Sequence, residues 1–232
     1  MRQIVLDTET TGLEPRQGHR IIEIGCIELI DRRPTRNDFH RYLNPERDIE
    51  AGAEAVHGLS REFLASKPLF NDVVQPLLEY IDGAELIIHN APFDVGFLNH
   101  EIRLLKQSYM PIEERCQILD TLPLARQMHP GQRNSLDALC KRYGVDNSKR
   151  DLHGALLDAR LLADVYLAMT GGQSTLFGGK DAVQNVTDTK QFIIDPSLAL
   201  VVKKASTNEF SEHQKMVAKL SEQSGQSLWP ED

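Results

Sequence analysis

A chain of 232 residues, 41% hydrophobic and 26% charged, is long enough for one well-buried domain with roughly 50 residues over. No apolar run approaches the roughly 18 residues that a membrane span requires, so a transmembrane enzyme is excluded and no membrane partner is expected. Lys and Arg number 26 against 34 Asp and Glu, a net charge of -8, whereas a protein that holds nucleic acid unaided is usually basic. Contact with DNA or RNA would need local basic groups, metal ions or a partner that carries the strand.

The N-terminus passes directly into a strand-like run at residues 3–7, which is not the pattern of a signal peptide. Thr10, Thr11 and Gly12 form the turn leaving it. Residues 21–30 alternate as a long second strand, and residues 39–43 offer a third, stopped by Asn44 and Pro45. A helix is expected over residues 67–80, with Pro76 ending or kinking it. Residues 86–88 read as a short buried strand, 93–105 as a helix and 117–120 as a further short strand. Helical patterns follow at about 121–129, 135–143 and 154–169. Strands first, then strands mixed with helices, predict an α/β domain on a mixed sheet. Cys26, Cys116 and Cys140 are widely spaced with no C-x-x-C pair, which argues against a disulfide scaffold or structural zinc and fits a reducing cytoplasm.

Beyond residue 170 the texture changes. Residues 171–192 hold four glycines and no periodicity and read as a flexible linker, yet carry the apolar pair Leu176 and Phe177. Residues 193–232 regain apolar side chains. Ser211 and Gln214 match a capping box opening a short helix with Met216, Val217 and Leu220, which Gly225 would end. Roughly 40 residues are too few for a core of their own, so this tail is expected to dock onto another surface.

The chemistry centres on Asp7 and Glu9. Residues i and i+2 of a strand point to the same side, so both carboxylates project together from the end of a buried run. Like charges that close are costly to ionise without a cation between them, and a hard divalent ion such as Mg²⁺ suits oxygen ligands. The plain alternative is a solvated strand end. Asp94 follows a short strand and falls near the start of a helix, where the helix dipole alone would account for it. Five residues turn about 140° around a helix, so His153 and Asp158 cannot share a helical face. His153 is expected on the loop at the helix entrance, with Asp158 fixed on the helix. Four acids and an imidazole suit phosphodiester hydrolysis with two metals, which activate water and stabilise the departing oxyanion while the imidazole takes a proton. No Ser or Cys nucleophile motif and no P-loop is present.

Asp7-Thr8-Glu9-Thr10-Thr11-Gly12, His89-Asn90-Ala91 with Phe93-Asp94, and His153 with Asp158 resemble, in order and spacing, the three motifs of the DEDD exonuclease family, histidine subclass. The resemblance spans about residues 3–170. It implies a ribonuclease-H-like fold with a mixed five-stranded sheet and 3′→5′ removal of nucleoside monophosphates. It also implies two divalent ions (Mg²⁺ or Mn²⁺) on Asp7, Glu9, Asp94 and Asp158, with His153 as general base. Further stretches (residues 56–59, 133–140 and 146–150) are similar to the proofreading branch of that family, whose members work with a replicative DNA polymerase. By that resemblance Asp7, Glu9, Thr10, Leu13, His57 and Asp158 contact the 3′-terminal nucleotide. Gly52 stands where some relatives have a nucleotide-contacting glutamate, with Glu54 nearby but displaced.

The resemblance extends to partners. Gln173, Leu176 and Phe177 look like a sliding-clamp motif, and the tail with the sole tryptophan, Trp229, like the segment that grips the polymerase subunit. Tethering of this kind would answer the charge problem, since the polymerase would hold the duplex. A small third core subunit is a further possible partner. Arg126, Arg133, Lys141, Arg142, Lys149 and Arg150 could meet backbone phosphates, although Asp137 and Asp146 among them fit a solvated face equally well. The expected domains are therefore residues 1–170 for catalysis, 171–192 as linker and 193–232 for docking. A stand-alone DNA or RNA trimming exonuclease and a non-catalytic bridge between polymerase and clamp are the competing functions. The linker and tail count against the first, and the complete catalytic set counts against the second.

Overall fold

The computed structural model describes residues 1–148, 150, 152–171 and 205–224. Among them, six strands form one mixed sheet: β1 (Arg2–Thr10), β2 (Ile21–Ile30), β3 (Arg33–Pro34), β4 (Phe39–Tyr42), β5 (Glu85–Ile88) and β6 (Gln117–Asp120). Their spatial order is β3-β2-β1-β5-β6, with β4 also paired to β2. The β1–β2 pair is antiparallel, as are β2–β3 and β2–β4, while β1–β5 and β5–β6 are parallel. The five expected strands are all present; the sixth, β3, is only two residues long, too short to leave a periodic trace in sequence.

The helices are α1 (Ala51–His57), α2 (Arg61–Leu64), α3 (Phe70–Ile81), α4 (Ala91–Leu104), α5 (Ile112–Arg115), α6 (Thr121–Met128), α7 (Leu136–Tyr143) and α8 (Ala155–Thr170). Because strand side chains alternate, Ile4 and Leu6 of β1 pack with Ile24 and Cys26 of β2 against α3 and α4. Val5 turns the other way and joins Ile27, Leu29 and Ile87 beneath α7 and α8. The three-layer arrangement thus follows from one alternating pattern. Cys26, Cys116 and Cys140 are buried thiols, free of disulfides.

Two expectations require correction. Pro76 neither ends nor divides α3, which runs through it. Its ring faces solvent, and the buried stripe of Phe70, Val73, Val74, Leu77, Leu78 and Ile81 holds the helix together. Each such side chain contributes about 1.5–3 kcal/mol on full burial, which together outweigh the roughly 3 kcal/mol proline penalty.

The second concerns the tail. Met1–Gly178 and Gly179–Asp232 form two compact units, and the described part of the latter is a helix, α9 (Thr207–Ser224). It begins five residues earlier than the Ser211–Gln214 pattern indicates. The working capping box is Ser206 with Glu209: the Ser206 backbone N–H donates to Glu209 Oε2 (2.8 Å), and the Glu209 N–H donates to Ser206 Oγ (3.3 Å). Phe210, Met216 and Leu220 are exposed along α9. Gln173, Leu176, Phe177, Gly225 and Trp229 lie outside the described residues, as does most of the linker. No helix among the described residues is long and apolar enough to cross a membrane.

Candidate active site

The alternation that builds the core also distributes the acids. Asp7 and Glu9 continue the Val5 side of β1, toward α8, whereas Thr8 continues the Leu6 side, toward α4. Asp94 sits in the first turn of α4 and is buried; Thr8 Oγ1 donates to its Oδ1 at 2.7 Å. The turn into α4 is fixed by Asn90 in the left-handed region (φ 70°), a conformation asparagine tolerates, and its N–H donates to Asp120 Oδ1 at 3.0 Å. Asp158 occupies the equivalent first turn of α8 and is likewise buried. Both helices therefore aim their N-terminal dipoles at carboxylates.

His153 lies two residues before α8, on the entrance loop, as the spacing predicts. Its N–H donates to Val56 O at 3.0 Å, and its Nδ1 is 3.2 Å from Asp158 Oδ2. Gly25 sets how closely α8 approaches. It pairs with Asp7 across β1–β2, and a Cβ there would lie 2.2–2.4 Å from the backbone of Ala155 and Leu156. No other residue fits without pushing the helix away from the sheet.

The outcome is one cavity of about 190 Å³ lined by Asp7, Glu9, Asp94, Asp158 and His153, together with Arg150. Nearest ligand atoms of Glu9, His153 and Asp158 fall within 4.8 Å of one another. Burial holds Asp7 well above the usual carboxylate range, with Asp94, Glu9 and Asp158 adding to the effect. Burial, followed by Asp158, Glu23 and Asp94, pushes Glu9 up to about 8. Asp94 is raised too, chiefly by burial and against the pull of its Thr8 hydrogen bond. A cluster so reluctant to ionise calls for positive charge. Part of it comes from Arg150, whose Nε donates to Asp158 Oδ1 at 2.6 Å and whose Nη2 donates to Oδ2 at 2.5 Å.

Beside the cavity runs an apolar groove of about 370 Å³ that shares Thr8, Glu9 and Phe93 with it and is lined also by Thr10, Leu13, Val56 and His57. The buried His57 accepts the Leu59 N–H at Nδ1 (2.9 Å), so its neutral ring carries the proton on Nε2. That nitrogen has no hydrogen-bond partner among the described residues, and burial lowers the ring's pKa, which favours the neutral form. Gly52 lines the groove with open space where a Cβ would stand; besides Glu9, the carboxylate lining it is Glu50, not Glu54. Glu50 Oε1 lies 3.1 Å from His19 Nε2.

Comparison with known proteins decides the family. Residues 4–166 match the Exonuclease (RNase_T) family. The chain belongs to the exonuclease family. It is 51% identical to the DNA polymerase III subunit epsilon of Salmonella typhimurium, over 98% of this chain and 97% of that one. It is 49% identical to the subunit epsilon of Rickettsia felis, over 95% and 97% respectively. Among solved structures, exonuclease X in complex with 5′ overhanging duplex DNA superimposes with a TM-score of 0.58 at 28% identity, over 73% of this chain and 91% of that one. The nuclease domain of 3′hExo, a DEDDh family member bound to rAMP, gives 0.59 at 18% identity, over 72% and 90%. The fold is thus the ribonuclease-H-like exonuclease fold, and exonucleases of this family use divalent metal ions.

The exonuclease cavity fits such ions on its own chemistry: hard oxygen donors, carboxylates resisting ionisation and a guanidinium already standing among them. The sequence assigns no site role to Thr8, Gly25, Glu50 or Phe93, and to Arg150 only a share in a basic face that could meet backbone phosphates. Gly25 had a signal, since a lone glycine in a strand often marks close approach of another backbone. Thr8 could have been read from alternation. Arg150 appeared only as one basic residue among several.

Proposed function

We propose that the chain is the proofreading 3′→5′ exonuclease of a DNA polymerase III, removing mismatched 3′-terminal nucleotides as 5′-monophosphates. The observation that carries this is the convergence of Asp7, Glu9, Asp94, Asp158 and His153 in one cavity beside an apolar groove, in a chain 51% identical to a subunit epsilon over nearly its whole length. Asp7, Glu9, Asp94 and Asp158 would hold two divalent ions, Mg²⁺ or Mn²⁺. When bound, these supply activated water and counter-charge for the departing oxygen. His153 accepts the water's proton at an imidazole nitrogen. The terminal nucleotide lies over Thr10 and Leu13, with the His57 Nε2–H available to an oxygen of the sugar or phosphate and Asp7, Glu9 and Asp158 at the scissile end. A mismatched end reaches the cavity because its terminal bases have lost pairing energy, so selection needs no reading of base identity.

The polymerase alpha subunit would hold the duplex and bind the tail over residues 193–232. The exposed Phe210, Met216 and Leu220 of α9 supply apolar anchors for it. Gln173, Leu176 and Phe177 would engage the sliding clamp, and a small third subunit could cover the nuclease domain, all in the cytoplasm. The test is hydrolysis of mismatched and matched primer-templates and of RNA with Mg²⁺, by the wild type and Asp7→Ala. Faster removal of mismatched DNA ends, lost in Asp7→Ala, is expected. Preference for RNA with indifference to mismatch would refute proofreading, and undiminished hydrolysis by Asp7→Ala would refute the metal assignment. Deleting residues 193–232 should release the alpha subunit and leave single-strand digestion intact; persistent association would refute tail docking.

A further inference from the structure

Arg150 holds an unusual position for a surface-loop residue. Its side chain is only 6% exposed and spends every terminal nitrogen on the catalytic apparatus or its border. Nε and Nη2 take both oxygens of Asp158, Nη2 also donates to His153 Nδ1 at 2.8 Å, and Nη1 donates to Asp137 Oδ1 at 2.5 Å. Asp137 belongs to the first turn of α7 and is largely exposed, so it anchors the guanidinium from outside the cavity.

Guanidinium groups only donate, so His153 Nδ1 must accept here, which leaves the neutral ring's proton on Nε2. In this arrangement neither imidazole nitrogen offers a lone pair to water. The same fork covers the carboxylate edge that a cation on Asp158 would use, and two positive groups on one carboxylate repel. Arg150 also lines the cavity wall, within reach of any phosphate held there, and its planar fork matches phosphate oxygens as well as carboxylate oxygens.

We propose that Arg150 is a displaceable internal cation that clamps Asp158 and His153 until a divalent metal takes the carboxylate, whereupon the freed guanidinium grips the phosphate of the 3′-terminal nucleotide. This rests on Asp158 being a metal ligand and His153 the base. Activation is then an exchange of partners: Asp158 passes from arginine to metal, and arginine passes from carboxylate to phosphate.

The test uses the full chain with Arg150→Met, Asp137→Asn and Asp7→Ala, titrating Mn²⁺ alone by calorimetry and measuring KM for a single-stranded oligodeoxynucleotide at saturating Mg²⁺. Arg150→Met should bind Mn²⁺ about tenfold more tightly and raise KM several-fold. Asp137→Asn, which loosens only the outer anchor and keeps the arginine, should tighten Mn²⁺ binding by a smaller factor without raising KM. A merely structural arginine predicts the opposite sign, because its loss would disorder Asp158 and weaken the metal. Equal or weaker Mn²⁺ binding in Arg150→Met, with binding lost in Asp7→Ala, overturns the clamp and leaves the metal assignment standing. Affinity unchanged in both overturns the metal assignment and the clamp with it. An unchanged KM in Arg150→Met overturns the transfer to phosphate. Should Arg150→Met not fold, Asp137→Asn decides the clamp by the sign of its own shift.

Discussion

The entrances to α4 and α8 present the same element, a buried aspartate in the first helical turn, in two different settings. Asp94 is met by a neutral hydroxyl from Thr8, and its turn is closed by Asn90 and Asp120. Asp158 is met by a cation, Arg150, on a loop tied back through His153 to Val56. One side is assembled in advance and short of positive charge. The other is charge-balanced, and on the proposed assignment its partner must move before Asp158 can ligate a metal. A centre holding metals on these acids, as proposed, is half rigid and half exchangeable.

The contrast can be broken first at the acids themselves. Asp94→Asn and Asp158→Asn should each reduce hydrolysis at least about 10³-fold, several kcal/mol of transition-state stabilisation, as single-turnover assays would show. Their stabilities should move in opposite directions under chelation. Asp158→Asn leaves Arg150 short of its buried partner and should cost about 3 kcal/mol, whereas Asp94→Asn removes an unwelcome buried charge and should raise the melting temperature. Losses of equal sign would erase the contrast.

His153→Ala tests the α8 side alone. A fall of about 10²-fold in kcat with Mn²⁺ affinity largely kept is expected, and affinity loss as the main defect would contradict the base role. Thr8→Val sharpens the α4 side: it preserves shape, deletes the hydrogen bond to Asp94, and should lower activity about 10-fold. The smallest effect is on pH dependence. Folding raises Glu9 from 4.5 to about 8, so the folded chain keeps a proton that the unfolded chain releases. With metal chelated, this contribution is full below about 4.5 and is lost as pH climbs to about 8. Asp7 and Asp94 act in the same sense. Thermal melts of Glu9→Gln across that window should show a shallower decline than the wild type.

Much of this was legible because the chemistry is written in alternation. β2 occupies the very span its pattern predicted, and the acids at residues 7, 9, 94 and 158 sit at strand ends and helix starts that short-range rules describe. What escaped was short or long-range. Helices α1, α2 and α5 hold seven, four and four residues, too few for an apolar period, and α1 buries only His57. Pro76 misled because a local rule was overruled by six buried neighbours. The α9 start was misplaced because Ser206 with Glu209 and Ser211 with Gln214 offer rival caps, which sequence alone does not rank. Arg150 escaped because its significance lies in partners 8 and 13 residues away that only the folded loop gathers.

Gly25 carries a consequence for how this enzyme can vary. The separation between Asp7 and Asp158 is gauged by an absent methyl group, since α8 rests directly on the strand backbone there. Gly25→Ala would act as a wedge, spreading the proposed metal-holding pair while leaving every catalytic side chain chemically unchanged. Inactivating changes in such a protein can thus fall at a position with no chemistry of its own.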